Sequence, residues 1–200
     1  MIYLMAHGAG ASAESDWMVQ AAQALERHGF EVVRFNFPYM QRAIESGSRK
    51  PPDREPVLRK AFAEQVAAHP QPLFIGGKSM GGRLATMVAD ELGVAGVIVF
   101  GYPFHPPGRP LKLRTAHLEK MSTPALILQG ERDTFGTRAE IGSYTLSSSI
   151  EVQFLTDGDH SLTPRKKSGH TLEEHLKQAA RTAAAFGQKV LRQNPSKPKE

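Results

Sequence analysis

The sequence predicts an α/β fold of three layers, with helices covering both faces of a mostly parallel sheet of about six strands. Short apolar runs alternate with amphipathic stretches along the chain, which is the pattern of successive strand and helix units. The chain has 200 residues, of which 40% are apolar, and this is enough to bury one core. No repeat or change in composition divides the chain before its C-terminal residues. We therefore predict one domain over residues 1–193.

The predicted strands are short apolar runs bounded by glycine, proline or polar residues. They are residues 2–6, 31–36, 72–76, 95–100, 124–129 and 150–155. Amphipathic stretches between and after these runs are predicted as helices, because apolar residues recur there at helical spacing. These helices begin near Ser15, Pro56, Met80 and Thr171, and the first and third end at Gly29 and Gly93.

Two proline-containing segments, residues 37–54 and 101–118, do not fit the alternation of strands and helices. Both follow predicted strands, and open α/β sheets bind ligands at the carboxyl ends of their strands. Long loops without secondary structure are uncommon in compact domains unless they are functional. We predict that both segments are loops that form the rim and lid of a ligand site. The alternative is that they are surface connections without a function.

The composition argues against several classes of function. The formal net charge is +5, but the basic residues are scattered, apart from residues 165–167 and the C-terminal tail, so we expect a solvated basic surface and no nucleic-acid binding. There is no cysteine, which excludes disulfides and thiolate catalysis. No run approaches the roughly 18 apolar residues of a membrane span, so we expect a soluble, cytoplasmic protein with no membrane partner. Residues 194–200 are expected to form a disordered basic tail.

A Gly-x-Ser-x-Gly pentapeptide, Gly77-Lys78-Ser79-Met80-Gly81, lies between a predicted strand and a predicted helix. In that context a serine sits on a sharp turn that exposes its hydroxyl, and small flanking residues let the strand and helix approach each other. The same residues could end a phosphate-binding loop, but that motif needs a glycine where this chain has Pro72. The pentapeptide therefore predicts a serine nucleophile for acyl transfer.

A serine nucleophile needs a base, and the base needs a carboxylate to hold it. Asp133 follows the fifth predicted strand and His160 follows the sixth, so Ser79, Asp133 and His160 occur in the chain order typical of this kind of sheet. Glu131 is a possible rival to Asp133. Two further carboxylates, Asp157 and Asp159, are interpreted as turn formers.

The backbone N–H groups of Met80 and Ala9 are predicted to form the oxyanion hole, because one follows the nucleophile and the other lies in the small-residue loop after the first strand. Three residues of the second proline-rich segment, Tyr102, His105 and Arg109, are candidates for the substrate rim. Basic residues near the same edge suggest an anionic acyl or ester substrate. No metal or other cofactor is expected, since His170 and His175 are not spaced to share a helical face.

The motifs together resemble those of α/β-hydrolases, and more narrowly those of a small dienelactone-hydrolase-like branch that includes testis-expressed and chromatin-complex relatives in animals. The resemblance is carried by residues 7–10, 76–83, 101–107, 129–133 and 158–161. It implies Ser79 as nucleophile, Asp133 as acid and His160 as base, in agreement with the spacing. The chain departs from larger members of the family, because we expect it to lack their N-terminal antiparallel strands and their large helical cap.

The sequence thus predicts a serine hydrolase, of carboxylesterase or thioesterase type, that acts on a small acyl substrate without a cofactor. The alternative is a non-catalytic binding module that keeps the sheet and uses the proline-rich loops as a partner surface.

Overall fold

The computed structural model describes residues 1–193, which form an α/β/α sandwich around one sheet. The strands are β1 (Ile2–Ala6), β2 (Glu31–Phe35), β3 (Leu73–Lys78), β4 (Gly96–Phe100), β5 (Ala125–Gly130) and β6 (Ile150–Leu155). Their order in the sheet is β2-β1-β3-β4-β5-β6, and every neighbouring pair is parallel. All six predicted strands are confirmed, with ends that differ by at most two residues. The tail predicted over residues 194–200 lies outside the described residues.

Helices cover both faces of the sheet. They are α1 (Asp16–Glu26), α2 (Pro38–Ser46), α3 (Glu55–Ala67), α4 (Met80–Leu92), α5 (Arg138–Ile141) and α6 (Leu172–Gln193), and a short 3-10 helix spans Lys166–Ser168. Buried residues of α2, α3, α4 and α5 pack in one hydrophobic cluster, and those of α1 and α6 pack in a second. Within residues 1–193, no helix is long and apolar enough to cross a lipid bilayer.

Successive side chains of a strand point to opposite faces of the sheet, so each strand contributes residues to both clusters. In β1, Leu4 and Ala6 belong to the cluster under α2–α5, whereas Tyr3 and Met5 belong to the cluster under α1 and α6. The central strands β1, β3, β4 and β5 are buried on both faces, which explains why they are mostly apolar in sequence. The edge strands β2 and β6 include polar residues.

The loop predicted over residues 37–54 is wrong in its first half, because Pro38–Ser46 form helix α2. Pro38 lies in the first turn, where backbone N–H groups have no partner within the helix, so proline's lack of an N–H costs no hydrogen bond. The helix ends at Gly47, which has a φ of 63°. Residues 47–54 contain no helix or strand, and residues 101–118 contain only turns and bends, as predicted.

Candidate active site

Ser79 lies on the turn between β3 and α4, with φ 51° and ψ −113°. A positive φ is strained for a residue with a side chain, and the packing of the turn maintains it. The Ser79 N–H donates to the carbonyl of Phe100 at 3.0 Å. A Cβ on Gly77 would overlap the carbonyl of Ala6, and a Cβ on Gly81 would lie 2.6 Å from the same oxygen. The two glycines of the pentapeptide therefore allow β1, β3 and α4 to meet behind the serine.

The structure brings together the three side chains that the sequence predicts as nucleophile, base and acid. His160 Nε2 lies 2.8 Å from Ser79 Oγ, and His160 Nδ1 lies 2.7 Å from Asp133 Oδ2. Because a carboxylate can only accept at Nδ1, that nitrogen carries the proton and Nε2 is free to accept from the serine hydroxyl. The arrangement can therefore withdraw a proton from Ser79 as its oxygen attacks an electrophile.

Asp133 is fully buried and is held by a network around Gln129. The Gln129 amide donates to Asp133 Oδ2 at 2.7 Å, and the N–H of Phe135 donates to Asp133 Oδ1 at 2.8 Å. Gln129 Oε1 accepts the N–H of Tyr102 at 2.7 Å. These bonds fix the carboxylate before any ligand arrives. The role of Gln129 was missed in the sequence, where it appears only as the one polar residue near the end of an apolar strand.

The other carboxylates near His160 have different partners. Glu131 pairs with Arg138 at 2.9 Å and accepts the N–H of Asp157 at 3.0 Å. The side chain of Asp157 pairs with Arg132 and Arg165. Asp159 accepts the backbone N–H of residues 161 and 163 at 2.8 and 2.9 Å, as expected for a turn former. Of these acidic residues, Asp133 is the one that contacts the imidazole.

Lys78, the residue before the nucleophile, supports the loop that carries His160. Its ammonium group donates to the carbonyl of His160 at 3.2 Å and to Ser161 Oγ at 2.9 Å, and it lies 4.6 Å from the ring centre of Trp17. The indole N–H of Trp17 donates to the carbonyl of Ser161 at 2.9 Å. Burial lowers the pKa of Lys78 to about 8, although the carboxylates of Asp133 and Asp159 oppose that shift. The ring of Phe135 stacks on the ring of His160, with 4.1 Å between the ring centres.

The loop after β1 packs against the nucleophile, since a Cβ on Gly8 would lie 3.7 Å from the Cβ of Ser79. His7 is fully buried, and its Nε2 accepts the N–H of Phe37 at 3.1 Å. The proton is therefore on Nδ1, which donates to the carbonyl of Gly8 at 2.6 Å. Burial lowers the pKa of His7, which favours this neutral form. The Tyr39 hydroxyl donates to the carbonyl of Ala9 at 3.1 Å.

These contacts orient the peptide between Gly8 and Ala9. Across a trans peptide the N–H points away from the preceding carbonyl, so the Ala9 N–H faces away from the His7 ring. Within residues 1–193, the N–H groups of Ala9 and Met80 have no hydrogen-bond acceptor. Met80 is the first residue of α4, where a free N–H is expected.

The structure corrects two of the three predicted rim residues of the second proline-rich segment, Tyr102 and His105. Tyr102 is fully buried and His105 is 3% exposed, so neither forms a rim. Tyr102 donates its hydroxyl to the carbonyl of Arg114 at 2.8 Å, and His105 Nδ1 donates to the carbonyl of Pro106 at 2.9 Å. The aromatic start of the segment folds into the core because its side chains bury more apolar area there than at the surface. Arg109 is exposed.

The chain was compared with protein families and solved structures. The α/β-hydrolase domain family matches residues 1–188. An α/β serine hydrolase without a lid from Xanthomonas campestris is 21% identical with a TM-score of 0.64, over 98% of this chain and 84% of that one. An α/β serine hydrolase homologue from Coxiella burnetii is 22% identical with a TM-score of 0.69, over 91% of this chain and 84% of that one.

A dienelactone hydrolase from Anabaena variabilis is 19% identical with a TM-score of 0.66, over 94% of this chain and 85% of that one. A search of curated protein sequences found no significant match. At these identities the solved structures establish the fold, and the narrower kinship with testis-expressed and chromatin-complex relatives stays a prediction. The family match covers nearly all of the described residues, and the site lies where the fold predicts it. The chain therefore belongs to the α/β-hydrolase domain family.

Proposed function

We propose that the protein is a serine hydrolase that cleaves a small ester or thioester through an acyl-enzyme. The observation that carries this proposal is the continuous hydrogen-bonded chain from Ser79 through His160 to Asp133, which ends on a strained serine. A structural role alone does not account for a positive φ at a residue whose hydroxyl is aimed at an imidazole.

In the proposed mechanism, Ser79 Oγ attacks the substrate carbonyl carbon while its proton moves to His160 Nε2. The carbonyl oxygen becomes an oxyanion, which the free N–H groups of Met80 and Ala9 stabilise. Asp133 stabilises the imidazolium through Nδ1. The imidazolium then protonates the leaving alcohol or thiol as the bond to the carbonyl carbon breaks.

Deacylation repeats these steps with water. His160 takes a proton from the water as its oxygen attacks the acyl carbon, and it returns the proton to Ser79 Oγ when the acid departs. The steps use only groups of the chain, the substrate and water.

The experiment that tests the nucleophile is intact-mass analysis after treatment with a fluorophosphonate, which labels activated serines without a known substrate. We expect one adduct on the wild type and none on Ser79→Ala, while Ser143→Ala, which removes an exposed serine, keeps the adduct. Ser79→Ala should also lower turnover by roughly 10⁶-fold, the size of the loss when a serine protease loses its nucleophile. Equal labelling of wild type and Ser79→Ala would contradict the proposed role of Ser79.

A non-catalytic binding module is the second candidate, and one observation favours it. Leu111 is 96% exposed and Leu113 is 47% exposed, both in the second proline-rich segment. Exposed apolar side chains of this kind are suited to a protein partner. The same labelling experiment separates the two functions, because a folded wild type that takes no adduct favours the binding module.

A further inference from the structure

Two adjoining cavities of about 530 and 440 Å³ lie beside the loop that carries Ala9. Both are lined by Ala9, Gly10, Arg49 and Lys50. We call the combined space the Arg49 groove. Since Gly8 packs against Ser79 and Ala9 is the next residue, the Ala9 wall of this groove lies close to the nucleophile.

One wall of the Arg49 groove is an apolar stripe of α2. Met40, Ala43 and Ile44 line the groove, and their spacing places them on one face of the helix. Ile44 is 52% exposed, although a residue of this type is usually buried. The stripe therefore presents aliphatic surface to the groove and leaves space for an apolar chain.

The Arg49 groove is also lined by two cations, which border both of its cavities. Arg49 and Lys50 are exposed, and neither side chain makes an ion pair or hydrogen bond with any residue in the range 1–193. The nearby carboxylates are engaged elsewhere, because Asp53 pairs with Arg42 at 2.5 Å and Glu45 accepts from the amide of Gln41 at 3.0 Å. The two cations are therefore available to a negatively charged ligand.

We infer that the Arg49 groove is the acyl-binding subsite and that its ligand is an aliphatic acyl chain ending in a carboxylate, presented as an ester or thioester. This inference rests on the proposed function. The carbonyl would lie at the Ala9 N–H, the methylene chain along Met40, Ala43 and Ile44, and the terminal carboxylate at Arg49 and Lys50. A guanidinium can bind a carboxylate through two parallel hydrogen bonds, so the site should prefer an acyl chain that carries a carboxylate.

The test compares two fluorogenic esters with acyl chains of equal length, 4-methylumbelliferyl hexanoate and mono-4-methylumbelliferyl adipate. We expect the wild type to have a kcat/KM for the adipate ester roughly tenfold or more above that for the hexanoate ester, as a charge-assisted hydrogen bond provides. Arg49→Gln/Lys50→Gln should lower the ratio of the two kcat/KM values, adipate ester to hexanoate ester, to about one. Arg49→Lys/Lys50→Arg should retain most of the wild-type preference.

The matched control is Lys177→Gln/Arg181→Gln, which removes two exposed cations from α6, on the opposite face of the sheet. This control variant should keep the preference for the adipate ester. It loses the same net charge as Arg49→Gln/Lys50→Gln, but the lost charges are distant from the groove. The wild-type preference should also fall as salt is added. If both double variants reduce the preference equally, the effect is a general one of net charge and the subsite is wrong.

The two proposals fail in different ways. Equal kcat/KM for the two esters in the wild type would overturn the subsite and leave the hydrolase proposal standing. Labelling of Ser79 by the fluorophosphonate with no turnover of either ester would overturn the acyl class proposed here. Absence of both labelling and turnover in folded protein would overturn the proposed function itself, and the subsite with it.

Discussion

Replacing Lys78 by methionine removes a buried ammonium group and keeps most of its apolar stem. The pKa of Lys78 is lowered from its ordinary value of 10.5 to about 8, chiefly by burial. Between about pH 8 and 10.5 the unfolded chain therefore binds more protons than the folded chain does at this residue. The free energy of unfolding should rise with pH across that window, because ionised Lys78 destabilises the fold and neutral Lys78 does not.

Lowering the pKa of Lys78 from 10.5 to about 8 corresponds to about 3 kcal/mol of unfolding free energy over the complete window. Between about pH 7 and pH 9.5 the wild type should gain about 2 kcal/mol relative to Lys78→Met. Burial also raises the pKa of Tyr39, to about 12, and such groups titrate in both proteins, so the difference between wild type and variant isolates Lys78.

The assay is urea unfolding of both proteins at several pH values, followed by circular dichroism. Equal slopes with urea would show that the variant unfolds from an equally compact state. Lys177→Met, at an exposed lysine of α6, is the control and should differ from the wild type by a constant amount. A difference between wild type and Lys78→Met that does not change with pH would refute the reasoning from burial.

Two further predictions concern the residues around the site. Gln129→Leu removes one of the hydrogen bonds to the buried Asp133 carboxylate and leaves the buried Tyr102 N–H without its partner, so the free energy of unfolding should fall by about 1–3 kcal/mol and kcat should fall more than KM rises; unchanged urea unfolding would contradict this. Tyr39→Phe removes the hydrogen bond to the Ala9 carbonyl and keeps the buried ring. Both kcat/KM and the rate of fluorophosphonate labelling should fall roughly tenfold, while the free energy of unfolding changes by about 1 kcal/mol. An unchanged labelling rate would contradict the assignment of the Ala9 N–H to the oxyanion hole.

Most of the fold was accessible from sequence because parallel strands buried on both faces are continuous apolar runs. Helix α2 was missed because its proline-containing context resembled a loop. A signal was present in the sequence, since Pro38 suits a first helical turn, Gly47 suits a helix end, and Met40, Ala43 and Ile44 have helical spacing. The nearby prolines favour a loop instead. Burial of Phe37 and Tyr39 in the core stabilises the helix, and that contribution depends on tertiary packing.

The meeting of Ser79, Asp133 and His160 could be predicted because each follows a strand of one sheet, and strand ends share an edge. The roles of Lys78 and Tyr39 could not, because each acts through contacts with residues that are distant in sequence. Gln129 lies four residues from Asp133, but it also bonds the backbone of Tyr102, which is 27 residues away. The burial of Tyr102 and His105 was likewise invisible, since a proline-rich segment gives no periodicity that separates inward from outward side chains.

The chain order divides the site between two halves of the sheet. Ser79 precedes β4, whereas Asp133 and His160 follow β5, and these strands pair from Val97 with Ala125 to Phe100 with Leu128. A slip of one residue along this pair would displace one half by about 3.3 Å. That displacement exceeds the 2.8 Å that separates the hydroxyl and the imidazole, so strand register sets the alignment of the reacting atoms. Hydrolytic activity would therefore depend on the correct register between β4 and β5.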